Sequence, residues 1–201
     1  MPTSAARCNS TGVHGSLQAH LSWKMPHGSA IVLEQGFPWL EFAAAVTAAE
    51  MAGAMQTVLN MTVQYASERS QFGRPIGKFQ AVQQQISVLA ELAAASRIGA
   101  ELGCLDSETD KPNLLAAAVA KARVSEAAST AVPIAHAVHA AMGVTKEYDL
   151  QLFTRRLIEW RTAYGSAGYW NRRVGDTLLS SDAGSTLQFM LSALFSSTAS
   201  E

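Results

Sequence analysis

The 201-residue sequence predicts an all-α protein, an up-down four-helix-type bundle with a shorter extra helix. Three observations predict it. Apolar residues recur at three- and four-residue spacing from about residue 37 to about residue 180. Glycine and proline punctuate those stretches, so the connections are short. Strand signals are nearly absent, and the one extended-looking stretch, SAIVLEQG at 29–36, is too short to support a sheet. Apolar residues make up 48% of the chain and charged residues 15%, a balance that buries a core rather than leaving the chain disordered.

The elements follow in order. Met51, Met55, Val58, Thr62 and Tyr65 form one helical stripe, which stops at SERSQFGRPIG, where Gly73, Pro75 and Gly77 are successive breakers. A second helix begins near Lys78 and carries Phe79, Val82, Ile86, Leu89 and Ala93 to about Leu105. After the loop DSETDKPN, with Asp110 as the expected N-cap and Pro112 in the first turn, an alanine-rich helix runs from about Asn113 to Ala141. Pro133 is expected to kink it. Leu150, Phe153, Leu157 and Trp160 mark a fourth helix, and a shorter fifth lies between Ser166 and Leu179. Residues 1–33 read as an irregular N-terminal segment, 34–180 as the bundle, and 181–201 as a tail. The apolar patch Leu187–Phe195 in that tail reads equally as a short docking helix or a frayed end.

Fifteen Lys and Arg face sixteen Asp and Glu, a formal charge of −1. No basic excess is present to neutralise nucleic-acid phosphates or to hold an anionic membrane. The N-terminus lacks the basic start and apolar run of a secretory signal. The nearest approach to a membrane span, residues 40–59, is carried by alanine and interrupted by Glu41 and Glu50. Two cysteines, Cys8 and Cys104, make neither a disulfide framework nor a zinc site alone, so a soluble, cytoplasmic chain is expected.

Candidate bases Glu41, Glu50, Glu91, Glu101, Glu126, Glu147 and Glu159 read as solvated-face residues; Glu50 stands out for its apolar neighbours Ala48, Ala49, Met51 and Ala52. His136 and His139 share a helix face, but Ser129, Val132 and Ala140 occupy the neighbouring positions, so no metal site is expected. No nucleophile elbow, phosphate loop or dinucleotide glycine fingerprint is present. The segment from Tyr65 to Gln80 is different. Its glycine-bounded loop bears Arg69, Gln71, Phe72, Arg74 and Gln80, a guanidinium able to fork onto a phosphate beside an aromatic and amides able to hold a purine. The competing reading is a helix–helix turn whose polar residues face water.

Residues 65–83, YASERSQFGRPIGKFQAVQ, resemble the signature of the C-terminal helical domain of the acyl-CoA dehydrogenase family. The rest follows in order: AKAR at 120–123, HAVHAAMGVTKEY at 136–148, TRRL at 154–157 and WRTAYGS at 160–166. The similarity covers about residues 30–180.

The resemblance implies an FAD-dependent oxidoreductase acting on acyl-CoA thioesters, with the flavin lying between two subunits. Carried over by position, Arg69 would contact the FAD pyrophosphate, with Gln71 and Phe72 beside it and Gln80 near the adenine. The family's Gln-x-x-Gly-Gly-x-Gly stretch falls on Ala137, Ala140, Ala141 and Gly143, so one glycine of the pattern is kept. The family's base in its Tyr-Glu-Gly-Thr loop corresponds to Tyr164, followed by Gly165 and Ser166; Ser166 joins the implied flavin contacts. The alternative base position, on the first helix, is Ala43. A phenol, with a reference pKa of about 10, is a poor substitute for a carboxylate. No catalytic residue is therefore assigned.

About thirty residues precede the bundle, too few for the family's N-terminal helical and middle β-domains; that segment would then be a remnant of the linker from the β-domain. The resemblance thus implies a partial or accessory subunit, a homo- or hetero-oligomer with an acyl-CoA dehydrogenase chain. The alternative is a helical oligomerisation scaffold or a truncated, inactive member. Arg69 and Gln80 in one groove beside a bare apolar face favour the flavin; Arg69 and Gln80 in solvent favour the scaffold.

Overall fold

The computed structural model describes residues 7–10, 19–22, 37–104 and 113–195. The chain divides into two units, Met1–Phe37 and Pro38–Glu201. In the first, β1 (Arg7–Ser10) pairs antiparallel with β2 (Ala19–Ser22), Cys8 opposite Leu21. Within the segment the sequence predicts as irregular, residues 7–10 and 19–22 thus form a short ladder. Arg7, Cys8, Asn9, His20 and Ser22 are all exposed, so no alternation of buried and exposed residues announces the pairing. The stretch 29–36 lies outside the described residues.

The second unit is the expected bundle. Its helices are α1 (Trp39–Glu68), α2 (Gln80–Cys104), α3 (Leu114–His139), α4 (Leu150–Trp160), α5 (Ala167–Leu179) and α6 (Thr186–Phe195). Met51, Met55, Val58 and Thr62 on α1 are fully buried, as their stripe predicts, and the first three share a core cluster with Leu89 and Ala93 of α2 and Leu150 and Leu157 of α4. The alanines of α3 form the centre, with Ala117, Ala120, Ala128, Ala131 and Ala135 at 0% exposure, and α3 continues through Pro133 as one helix. Small side chains on most of its faces let α1, α2, α4 and α5 all pack against it.

The cap of α3 is Asn113, whose side-chain oxygen accepts from the amides of Leu115 and Ala116, both at 3.0 Å. The expected cap, Asp110, and Pro112 lie outside the described residues. An extended residue directly before the first turn reaches both orphan amides, which a residue one turn earlier does not. The tail's apolar patch is helical: α6 contacts α3 and buries Phe189. Both α1 and Leu114–Val144 are long and apolar enough by length and composition to cross a membrane, with mean hydropathy 1.3 and 1.2 over their best windows. Here their apolar stripes build the bundle core.

Candidate functional site

The link between α1 and α2 is a two-residue hairpin. β3 (Ser70–Gln71) pairs with β4 (Arg74–Pro75), and Phe72 and Gly73 turn the chain with φ of 51° and 77°. Two successive positive φ values match the twist of a tight antiparallel pair. Glycine takes that conformation freely, whereas phenylalanine is strained there and leaves its ring 92% exposed. The rings of Phe72 and Phe79 meet edge to face at 6.1 Å, and the Arg74 guanidinium lies 4.3 Å from the centre of the Phe79 ring. Arg69 ends α1 and is exposed, as are Gln71 and Gln80. Between residues 65 and 80 three cations, Arg69, Arg74 and Lys78, stand against Glu68 alone, a positive edge suited to an anionic group.

Beside the hairpin lies an open groove of about 400 Å³ lined by Val63, Ala66, Pro75, Gly77, Gln83 and Ile86. Arg69 and Gln80 do not line it; both are exposed to solvent.

The second stretch implied by the resemblance lies at the C-terminal end of α3. Ala137, Ala140 and Ala141 are exposed, and Ala140 has φ 51° and ψ −135°, a conformation that favours glycine. Gly143 is buried. A Cβ there would meet His136 Nδ1 and His139 Cβ at 3.0 Å and Leu150 Cδ2 at 3.2 Å, so a side chain at this position would crowd all three neighbours.

One aromatic stack joins the two stretches. The His139 ring lies on Tyr65, one turn before Arg69, with centroids 4.4 Å apart, and Tyr148 closes on both at 5.1 and 5.9 Å. His139 Nδ1 is 2.9 Å from the Ala135 carbonyl, and His136 Nε2 is 3.0 Å from Thr154 Oγ1. Burial lowers the pKa of both imidazoles from the ordinary 6.5. Among the described residues no three His, Cys, Asp or Glu side chains cluster as metal ligands.

The loop that the resemblance aligns with a catalytic base is elsewhere. Tyr164 has φ 53° and is 55% exposed, Gly165 has φ 102°, and Ser166 caps α5 by accepting from the Tyr169 amide at 3.3 Å. The Trp170 indole N–H donates to the Tyr164 carbonyl at 3.0 Å. Under this loop lies Lys121 of α3, eighteen residues before His139, about 27 Å along a helix rising 1.5 Å per residue. Ser166 is therefore not part of the Arg69 cluster on the same chain. Ala43 is half-buried, and Glu50 is exposed. Glu41, nearly buried, is held at 2.6 Å by the Arg173 guanidinium of α5, a pairing that ties down its carboxylate.

Sequence reasoning missed Lys121 as an individual, along with the Tyr65–His139–Tyr148 cluster and the Glu41–Arg173 pair. A lysine two residues before Arg123 in an alanine run was the available signal for the first. The other two depend on which helices become neighbours.

Residues 37–177 match the family described as acyl-CoA dehydrogenase, C-terminal domain. The chain is 38% identical over 125 residues to acyl-CoA dehydrogenase IpdE2 of Mycobacterium tuberculosis, a match spanning 62% of this chain and 36% of that protein. Among solved structures it resembles the Tcur3481–Tcur3483 steroid ACAD (TM-score 0.66, 30% identity, 71% of this chain and 40% of that one). It also resembles glutaryl-CoA dehydrogenase in complex with glutaryl-CoA (TM-score 0.61, 29% identity, 73% and 38%). The chain thus spans roughly a third to two fifths of the length of these relatives. It belongs to the acyl-CoA dehydrogenase family, of which it carries the C-terminal helical domain.

Proposed function

We propose that this chain is a partial, accessory subunit of a flavin-dependent acyl-CoA dehydrogenase, a soluble cytoplasmic protein that helps hold FAD at a subunit interface and contributes no catalytic base. One observation carries the reading: the Tyr65–His139 stack sets the cationic hairpin and the exposed Ala140–Ala141 turn at the same end of the bundle, although they are far apart in sequence. When bound, FAD would supply the hydride acceptor for α,β-dehydrogenation of the acyl thioester.

The residues present fit one end of that group. Arg69, exposed at the helix terminus, offers two parallel N–H donors to a pyrophosphate. Gln71 and Gln80 offer amides, and Phe72 an exposed ring for stacking. Ala137, Ala140 and Ala141 present backbone and methyl groups. Tyr164 and Ser166, about 27 Å away along α3, would face a different flavin from Arg69, so each interface needs residues of two chains. Exposed Val46, Val63, Val88 and Ile98 on α1 and α2 leave apolar surface for that partner.

A second reading, an oligomerisation scaffold without flavin, has one observation in its favour: Arg69 and Gln80 face solvent rather than the neighbouring groove. The visible spectrum of the chain purified alone and with a full-length acyl-CoA dehydrogenase subunit separates the two. The flavin reading expects yellow complexes that lose their colour with Arg69→Ala. Equal flavin retention with and without Arg69 selects the scaffold.

A further inference from the structure

Lys121 is a lysine at 0% exposure, about two turns into α3. Its Nζ donates to Ser125 Oγ at 2.9 Å and to the carbonyls of Trp160, Arg161 and Gly165 at 3.0, 3.3 and 3.1 Å. Three of those four acceptors belong to the end of α4 and the loop leading to α5. A helix leaves its last carbonyls without intrahelical partners, and a cation there also meets the negative end of the helix dipole. Lys121 answers both needs from a neighbouring helix. The Arg161 guanidinium adds a second tie from the loop to α3, its Nε donating to the Ser125 carbonyl at 3.2 Å.

The loop requires such fastening because its own backbone is strained. Tyr164 is a non-glycine residue at positive φ, and a Cβ on Gly165 would fall 2.6 Å from Trp170 Nε1. Trp170, at 0% exposure, holds the loop from the other side through the Tyr164 carbonyl. Two buried donors, one from α3 and one from α5, therefore grip adjacent carbonyls of one short segment. Burial and the nearby Arg161 charge bring the Lys121 ammonium down to about 8, which leaves it mostly charged at neutral pH.

We propose that Lys121 is a positioning residue: its ammonium, seated in α3, fastens the α4–α5 loop and so sets where Tyr164 and Ser166 stand. The functional weight of this inference rests on the reading that the loop faces flavin and thioester.

The first arm needs no flavin. In the full chain with 15N-labelled tryptophan, Lys121→Met should speed exchange of the Trp170 indole N–H at least about tenfold, while the core amides of Val58 and Val124 keep their protection. Unchanged Trp170 exchange overturns the proposal. Should the Met variant not fold, Lys121→Gln, which restores a polar donor, takes its place. If neither folds, native-state exchange on the unaltered chain decides: Trp170 indole protection equal to that of Val124 supports the clamp, and early local opening overturns it. The second arm uses the flavin-loaded assembly with a full-length partner. Lys121→Met should lower kcat about tenfold or more while flavin affinity stays within about twofold. A freed Trp170 with unchanged kcat overturns the placement of this loop at the reaction site, whereas an assembly that never takes up flavin, mutant or not, sinks the proposed function alone.

Discussion

The imidazole of His139 lies against the phenol of Tyr65 with centroids 4.4 Å apart and planes 25° apart. This contact brings the exit of α1 to the exit of α3, and with them the two stretches proposed to meet one flavin. Tyr65→Ala removes the stack and its edge contact with Tyr148. It should cost about 2–3 kcal/mol, between the value of an aromatic pair and that of a fully buried ring, readable as a drop in the urea midpoint. An unchanged midpoint would show the stack to be incidental.

The two histidines at this end of α3 set a pH dependence. Both His136 and His139 have folded pKa values below 6.5, so the unfolded chain takes up protons first as pH falls. Stability contributed by the neutral rings is present above about pH 6.5 and is lost as pH drops below it. Urea unfolding at about pH 7.5 and about pH 5 should show the loss, and His139→Phe should reduce it. Lys121 acts in another window: with about 8 folded against 10.5 unfolded, its contribution makes stability rise as pH climbs through that interval. Lys121→Gln should remove that rise.

Ala140 sits where glycine is favoured, at φ 51°. Ala140→Gly should relieve roughly 1 kcal/mol of strain and raise Tm by about 2–4 °C in a chain of this size. In the flavin reading it also takes a methyl group from the surface that approaches the ligand. Calorimetry and flavin titration on one variant test both parts, and a lowered Tm would mean that the Ala140 methyl contributes more packing than its backbone costs.

Arg69→Lys keeps the charge and loses the planar fork. Flavin retention in the assembled complex should fall about tenfold, less than the loss caused by Arg69→Ala. Tm should stay within about 1 °C, because the side chain is exposed. Equal retention by arginine and lysine would point to general electrostatics rather than bidentate pairing.

Met55 is fully buried, and the Ser96 hydroxyl donates to its sulfur at 3.4 Å. Met55→Ala should destabilise the bundle by about 2–5 kcal/mol, measured by denaturant unfolding. A cost below about 1 kcal/mol would mean that the core collapses around the gap.

The bundle was legible because helix period and chain punctuation are local signals. Met51, Met55, Val58 and Thr62 repeat at helical spacing and are buried together, and Gly73 and Pro75 stop α1 where the structure turns. The cap of α3 was misread by one turn, since several polar residues precede that helix and geometry selects Asn113. The strand pair Arg7–Ser10 with Ala19–Ser22 escaped because its described side chains are exposed.

From residues alone came the helical class and the family pattern, together with the expectation that Tyr164 and Ala43 stand at the family's base positions. Those follow from residue identity and short-range spacing. Only the tertiary structure decided that Glu41 is occupied by Arg173, that Gly143 serves packing, that Tyr65 meets His139, and that Lys121 holds a loop some forty residues away. Each of those facts concerns which helix faces become neighbours, and that is settled by how the alanine surfaces of α3 let four other helices close around it, not by any one helix's own sequence.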